Sequence, residues 1–343
     1  MMTNITENQI TCDKREVNQY LPDQAVFIGY ASFEMRSTTV PLSIDKERIT
    51  KAIILSSKLN CDHEAKKMIQ AHFAYLNKDA LFVELDRANP VSVARCLTEE
   101  VKKLLTITPL SIVIDITTFT HEILLMFLKL ISNNADKFRA VHCAYNGAEG
   151  YSMNVPLEDV WLSKGCKDVR NVIGYPGLLR PSAKTCLTIL TGFELERATK
   201  LVECLEPDRL ALGYGFEPTS RNHEPQMAHF KEKFEKWKSN YKNSQVSSFQ
   251  FSSKHVMKTV GALEALISDH PDDNYILVPL NTKLSTVATA ITAWRNRKIQ
   301  VCYAMPQTYN VGNYSIPSQN ITIFQPDRTL LYGSQEYTYG VEG

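Results

Sequence analysis

The chain has 343 residues, which is long for one small hydrophobic core and comfortable for two domains of ordinary size. Hydrophobic residues make up 44% and charged residues 22%, a balance typical of folded soluble proteins and not of disordered ones. The net charge of +1 indicates no general affinity for nucleic acid or acidic membranes, although a local basic patch is compatible with a neutral total.

Signals for export, membrane insertion and metal binding are absent from the sequence. The polar start MMTNITENQITCDKREVNQ has no apolar core of a secretory signal, and no run of about 18 apolar residues occurs. The eight cysteines are scattered, with neither a C-x-x-C pair nor the spacing of a disulfide framework. We therefore expect a cytoplasmic protein without a metal site or a cofactor.

The predicted elements run through two rounds of the same order. Each round has four apolar strands, an amphipathic helix after the third strand, a helix after the fourth, and a closing strand. In the first round the four strands are Ala25–Tyr30, Lys51–Ser57, Ala80–Asp86 and Ser111–Thr117. In the second they are Cys186–Leu190, Arg209–Gly215, Ser247–Ser253 and Tyr275–Asn281.

Strands rich in Val, Ile and Leu that alternate with helices are typical of a mostly parallel sheet covered on both faces. The sequence thus predicts an α/β protein with two tandem Rossmann-like domains, which we interpret as an internal duplication. The predicted domains are 23–175 and 184–330, with an N-terminal tail at 1–22 and a C-terminal tail at 331–343.

Short motifs recur after corresponding strands of the two rounds, and in a parallel sheet these positions meet at the carboxyl edge, where ligands bind. A small residue, Phe, Glu and then Arg follow the first strand, a Thr and a basic residue follow the fourth, and a Tyr-Asn pair follows the closing strand. From these motifs the candidate ligand-binding residues of the first round are Ser32, Glu34, Arg36, Asp115, Thr117, Thr120, His121, Tyr145 and Asn146. Those of the second round are Gly192, Glu194, Arg197, Asn281, Thr282, Lys283, Tyr309 and Asn310.

Arg36 and Arg197 are predicted near helix N-termini, where backbone N–H groups and a guanidinium suit phosphate oxygens. The alternative is that Glu34 and Glu194 pair with these arginines and only hold the turns together. The Tyr-Asn pairs either stack on and hydrogen-bond a base or cap a turn. No G-x-G-x-x-G, P-loop or G-x-S-x-G motif is present, so the sequence nominates no catalytic residue.

With these motifs the chain resembles the CRISPR-associated Rossmann-fold (CARF) sensors and their tandem relatives, the SAVED domains of prokaryotic antiviral systems. In that family a turn like Asp-x-Thr-Gly-Gly-Thr-Lys follows the fourth strand. DITTFTHE, 115–122, keeps the Asp, the Thr and the final Thr-basic pair, but has Thr-Phe in place of the glycines. PLNTK, 279–283, keeps only Asn-Thr-Lys.

The resemblance implies a non-catalytic sensor or regulatory subunit that binds a nucleotide-type ligand, such as a cyclic oligonucleotide, between its halves. Because the predicted elements leave no length for an effector domain, such a sensor would signal to a separate effector protein. The alternatives are an enzyme acting on a nucleotide or phosphoester, like a ring nuclease, and a structural adaptor. Convergence of Arg36, His121, Arg197 and Lys283 on one crevice would separate a ligand site from an adaptor.

Overall fold

The computed structural model describes residues 8–58, 63–106, 110–217, 223–241 and 245–332. Most of the predicted C-terminal tail and the first seven residues of the N-terminal tail therefore lie outside the described residues. The strands are β1 Gln9–Asp13, β2 Ala25–Ala31, β3 Ile49–Ser57, β4 Ala80–Leu85, β5 Leu110–Asp115, β6 Phe138–Tyr151, β7 Ser163–Lys164, β8 Asp168–Pro176, β9 Thr185–Leu190, β10 Arg209–Gly215, β11 Gln245–Phe251, β12 Asn274–Pro279, β13 Ile299–Met305, β14 Thr308–Tyr309 and β15 Ser315–Phe324. The helices are α1 Arg36–Ser43, α2 Glu64–Tyr75, α3 Pro90–Leu104, α4 His121–Ser132, α5 Glu196–Leu205, α6 His223–Lys238, α7 Val256–Asp269, α8 Lys283–Arg295 and α9 Arg328–Tyr332.

Two large sheets carry the same parallel arrangement, which confirms the predicted α/β class with mostly parallel strands. The first sheet has the order β1-β15-β6-β5-β2-β3-β4, and the second has the order β11-β10-β9-β12-β13-β8. In each, the first strand of the round pairs in parallel with the second and the fourth strands of that round. The shared order is compatible with the duplication, which itself stays a prediction.

Antiparallel strands close one edge of each sheet, and in each sheet one of them comes from the other half of the chain. β8, from the end of the predicted first domain, pairs with β13 in the second sheet. β15, from the end of the predicted second domain, pairs with β6 in the first sheet, and β1 adds to it from the predicted N-terminal tail. The chain thus exchanges an antiparallel strand between its halves, and this joins the two sheets.

A continuous apolar core fills the space between the two sheets. It contains buried side chains of α3 and α4 from the first half and of α7 and α8 from the second. Helices α4 and α8 pack directly against each other. The α8 sequence KLSTVATAITAWR is rich in small residues that allow close approach, and its buried hydroxyls are satisfied, as where Thr289 and Thr292 donate to carbonyls one turn earlier.

Separate cores cover the outer face of each sheet. Val40, Ile69 and Phe73 from α1 and α2 lie in the outer core of the first sheet. Leu201 and Phe234 from α5 and α6 lie in that of the second. Because both faces of both sheets are covered, the exposed parts that remain are the strand ends and the turns that follow them, where the candidate residues stand.

Candidate ligand-binding site

Each repeated Glu-Arg turn lies between the first strand of its half and the following helix. Arg36 is the first residue of α1, and Arg197 is the second residue of α5. Gly192 begins the second turn, where a β-carbon would collide with the carbonyl oxygen of Leu280. Only glycine allows the turn after β9 to pass this close to the turn after β12.

The first Glu-Arg turn is a closed hydrogen-bond network. Arg36 Nη2 lies 2.5 Å and its Nε 2.8 Å from Glu34 Oε2; the Arg36 side chain is buried, and that of Glu34 is 9% exposed. Arg36 Nη1 donates to the Asn146 carbonyl at 3.3 Å, and Ser315 Oγ donates to Glu34 Oε2 at 2.9 Å. The guanidinium also lies 5.8 Å from the ring centre of Tyr151, a cation–π distance. Arg36 therefore has its hydrogen bonds within the protein.

The second Glu-Arg turn is looser around its arginine. Glu194 Oε1 accepts hydrogen bonds at 2.8 Å from the backbone N–H groups of Leu162 and Ser163. Arg197 Nη2 lies 3.5 Å from Glu194 Oε2, and its Nη1 lies 3.5 Å from the Ala304 carbonyl. Arg197 Nε is buried without a hydrogen-bond partner in the described part of the chain. This arginine retains donors for a further acceptor.

The two Thr-basic turns begin the central helices. Thr120 caps α4 by accepting a hydrogen bond from the backbone of Ile123, and Thr282 caps α8 in the same way. His121 and Lys283 are then the first helical residues, at the positive ends of the two helix dipoles. His121 Nδ1 lies 2.6 Å from Thr286 Oγ1 of α8 and so links the two helices.

These four turns surround one pocket of about 90 Å³, which we call the central pocket. Ten of the predicted residues line it: Arg36, Thr117, His121, Tyr145, Gly192, Glu194, Arg197, Asn281, Thr282 and Lys283. They include all four of the basic residues whose convergence on one crevice was expected to distinguish a ligand site from an adaptor. The structure therefore brings the basic residues of both halves to one place.

Positive charge exceeds negative charge in the lining of the central pocket. Arg36, Arg197 and Lys283 line it, whereas Glu194 is the one carboxylate among the described lining residues. Burial lowers the pKa of Lys283 to about 8, although Glu34 opposes this shift. The nearby guanidinium groups of Arg36 and Arg197 lower the pKa further. Because Glu34 pairs with Arg36 and Glu194 lies beside Arg197, Lys283 is the cation of this lining that the described residues leave without a matching carboxylate. Such a buried cation is costly, and a bound anion would remove that cost.

His121 and Lys283 occupy equivalent positions but differ in charge. Burial lowers the pKa of His121 well below its usual value, with Lys283 and Arg197 adding to the shift. His121 is therefore neutral at pH 7 and serves as a hydrogen-bonding partner of Thr286. In the described residues, Lys283 Nζ has neither an ion pair nor a hydrogen bond, which leaves its ammonium available to a ligand.

A second, smaller pocket of about 50 Å³ adjoins the central pocket and shares His121, Arg197 and Lys283 with it. The predicted residues Ser32, Glu34, Thr120 and Tyr309 line this second pocket. Arg87 also enters it, where its Nη2 donates to Tyr309 Oη at 3.1 Å. Fourteen of the predicted residues thus line one pocket or the other, ten in the first and four more in the second.

Three predicted residues, Asp115, Asn146 and Asn310, line neither pocket. Asp115 is buried and accepts hydrogen bonds from the backbone and hydroxyl groups of Thr117, and burial raises its pKa to about 7. Asn146 Nδ2 donates to the carbonyls of Ser318 and Asn320, and Asn310 Nδ2 donates to that of Trp161. The two asparagines hold β15 and the β14 turn in place, as in the turn-capping alternative.

The predicted correspondence between Tyr145 and Tyr309 is wrong. Cys143 pairs with Ile114 of β5, and Val301 pairs with Leu277 of β12. These two partners in turn pair with equivalent positions of β2 and β9, the first strands of the two rounds. Cys143 therefore corresponds to Val301, and Tyr145 corresponds to Tyr303, since each lies two residues further along. The error arose because β6 continues to Tyr151 against β15, whereas β13 ends at Met305.

Sequence reasoning missed several lining residues that come from outside the repeated motifs. These are Tyr151, Leu162, Phe230, Ser253 and Tyr314 in the central pocket, and Arg87 and Tyr303 in the second. Arg87 and Ser253 each follow a third strand, and this position at the carboxyl edge was the signal that could have found them. Leu162 and Phe230 carried no such signal, because long-range folding brings them to the site.

The described residues contain no group of three or more His, Cys, Asp or Glu side chains placed to hold a metal ion. Within the same residues, no helix is long and apolar enough to cross a membrane. No protein-family model and no curated protein matches this chain. The chemistry of the site must therefore be read from its own residues.

Proposed function

We propose that the protein is a non-catalytic sensor that binds an anionic, nucleotide-type ligand in the central pocket between its two halves. The observation that carries the proposal is the convergence of Arg197 and Lys283, which have unused donors, on one pocket lined by both sheets. An anionic group would neutralise the cation excess, and helix N-termini and guanidinium groups suit phosphate oxygens in particular.

The position of the pocket supports a regulatory role. A ligand there contacts turns of both halves at once, including the N-termini of α4 and α8, which pack together. Binding energy can therefore favour one arrangement of the halves over another, which is the physical basis of a sensor. Following the resemblance to CARF and SAVED proteins, we propose that this arrangement is communicated to a separate effector protein in a prokaryotic antiviral system.

The test is a thermal-shift screen of the purified protein with nucleoside mono-, di- and triphosphates, NAD, and linear and cyclic oligonucleotides. A ligand present at a hundredfold excess over its dissociation constant adds about 2.7 kcal/mol to the unfolding free energy. We expect at least one nucleotide to raise the melting temperature, and the Arg197→Gln, Lys283→Gln double variant to lose that shift.

The matched control is the Arg15→Gln, Lys200→Gln double variant, which removes the same two positive charges from exposed positions. It should keep the shift in full. A stabilising nucleotide that acts equally on both double variants would place the binding site elsewhere. No stabilisation by any compound of the screen would favour the adaptor alternative.

A further inference from the structure

A groove of about 510 Å³ adjoins the central pocket, and we call it the open groove. It shares Tyr145, Ser253 and Thr282 with the central pocket, so the two spaces meet at these side chains. The central pocket alone, at about 90 Å³, is small beside the roughly 300–1,000 Å³ of typical small-molecule sites. The open groove supplies the missing space.

The lining of the open groove is rich in uncharged hydrogen-bonding groups, and its charged side chains, Lys254 and Glu149, have opposite sign. Ser318, Asn320 and Thr322 of β15 form one wall, and 253–255, the segment just before α7, forms the other. The Gln9 side chain holds the walls together, because its Nε2 donates to the Lys254 carbonyl and its Oε1 accepts from Val256 N–H. Such a lining suits a polar, uncharged ligand part and contrasts with the cationic central pocket.

The equivalent place on the other side holds the second pocket of about 50 Å³, and charged side chains occupy the rest of it. Arg170 Nε and Nη2 each lie 2.7 Å from a carboxylate oxygen of Glu122, a bidentate and largely buried pair. Arg170 Nη2 also donates to the Arg87 carbonyl at 3.2 Å, and the Arg87 side chain runs to Tyr309. These three residues narrow the groove on this side to the second pocket.

Strand register and helix position show which residues of the open side correspond to these three residues. Arg87 and Ser253 each precede the N-cap of the next helix by two residues. Glu122 and Leu284 are each the second residue of a central helix. Arg170 pairs with Tyr303, and Thr322 pairs with the equivalent Tyr145. The open side therefore has Ser, Leu and Thr where the narrowed side has Arg, Glu and Arg.

From this asymmetry we infer that the ligand has one anionic end, held in the central pocket, and one uncharged hydrogen-bonding end, held in the open groove. A nucleoside 5′-monophosphate has this division between its phosphate and its base, whereas a two-fold-symmetric cyclic dinucleotide would need both sides open. The inference rests on the proposed function, because it assumes that an anion binds in the central pocket.

The experiment is isothermal titration calorimetry of the full chain with inorganic phosphate, the four nucleoside 5′-monophosphates, and cyclic di-AMP and di-GMP. We expect at least one monophosphate to bind about tenfold or more tightly than phosphate and than either cyclic dinucleotide. Thr322→Arg places in the open groove the residue type that narrows the other side. It should weaken the monophosphate about tenfold or more without weakening phosphate.

Ser318→Arg fills the groove from a second position on the same wall. It replaces Thr322→Arg in the experiment if Thr322→Arg lowers the melting temperature of the protein. Ser268→Arg, at an exposed position near the C-terminal end of α7, adds the same charge outside the groove and should leave both affinities unchanged. Phosphate binding without a gain for any monophosphate, or a preference for a cyclic dinucleotide, would overturn this inference alone. Binding of none of these compounds would also overturn this inference, and the proposed function falls with it only if the thermal-shift screen likewise finds no stabilising nucleotide.

Discussion

The two Glu-Arg turns have the same sequence pattern but use their arginines differently. Arg36 gives its hydrogen bonds to Glu34 and to the Asn146 carbonyl, at distances from 2.5 to 3.3 Å. Arg197 lies at 3.5 Å from its two nearest acceptors, because Glu194 is occupied by backbone N–H groups. The pairing that sequence reasoning offered as an alternative to ligand binding thus describes Arg36 well and Arg197 poorly.

The difference shows that the same motif can occupy the same position in both halves and still have a structural role in one half and a ligand-binding role in the other. In the first half the motif holds the exchanged strand β15, through the hydrogen bond from Ser315 to Glu34. In the second half the carboxylate holds the segment before β8, and the guanidinium is left facing the central pocket. We assign Arg36 to the framework and Arg197 to the ligand.

The largest expected effect is on stability, from Arg36→Ala. It leaves the buried Glu34 carboxylate without its cation, and breaking a buried pair in this way costs about 3–5 kcal/mol. Arg197→Ala should cost about 1–2 kcal/mol, since Glu194 keeps its two backbone hydrogen bonds. Denaturant unfolding of the two variants measures the difference. Equal losses would contradict the division of tasks.

An intermediate effect is expected from exchanging the residues that open the two turns, Ser32 and Gly192. Gly192→Ser places a side chain against the Leu280 carbonyl, and such overpacking costs about 1–3 kcal/mol. Ser32→Gly is the matched control, which should cost no more than about 1 kcal/mol, from backbone entropy. Thermal unfolding compares them, and a Gly192→Ser protein as stable as the wild type would show that the two turns are not packed as described.

A smaller effect, on the pH dependence of binding, follows from Lys283. Its pKa of about 8 in the free protein should rise when an anion binds, so the complex takes up a proton near pH 8. Below pH 7 the lysine is charged in both states and no uptake is expected, and above pH 8 the affinity should fall. Calorimetry at pH 8 in two buffers of different ionisation heat measures the uptake.

Lys283→Gln provides the control for that measurement. It should bind more weakly and take up no proton near pH 8. His121 does not contribute on the acid side until its own, lowered pKa is reached, so the expected change near pH 8 belongs to Lys283. An uptake of the same size in wild type and variant would assign the titration to another group.

Much of this architecture could be predicted because it is encoded locally. Apolar runs such as AVFIGY and CLTIL predicted β2 and β9, and the turns after them predicted Arg36 and Arg197 at the edge of the sheet. The strand exchange could not be predicted, since nothing within 168–176 or 315–324 shows which sheet each segment joins. Pairing across more than 120 residues decides it.

The same limit applies to the site. The motifs predicted which turns meet, but they did not reveal that Arg87, Glu122 and Arg170 narrow one side. That asymmetry depends on β8 bringing Arg170 against Glu122, a contact between strand and helix that no periodicity indicates. The Tyr-Asn motif matched Tyr145 with Tyr309 wrongly for a related reason, because β6 pairs with β15 and extends beyond the length of its counterpart β13.

The most direct test of the central claim is a crystal structure of the protein with the nucleotide that stabilises it most. We predict an anionic group within hydrogen-bonding distance of Arg197 and of Lys283 Nζ, with Arg36 still bound to Glu34. A nucleotide bound away from the central pocket, or one whose anionic group contacts neither Arg197 nor Lys283, would contradict the account.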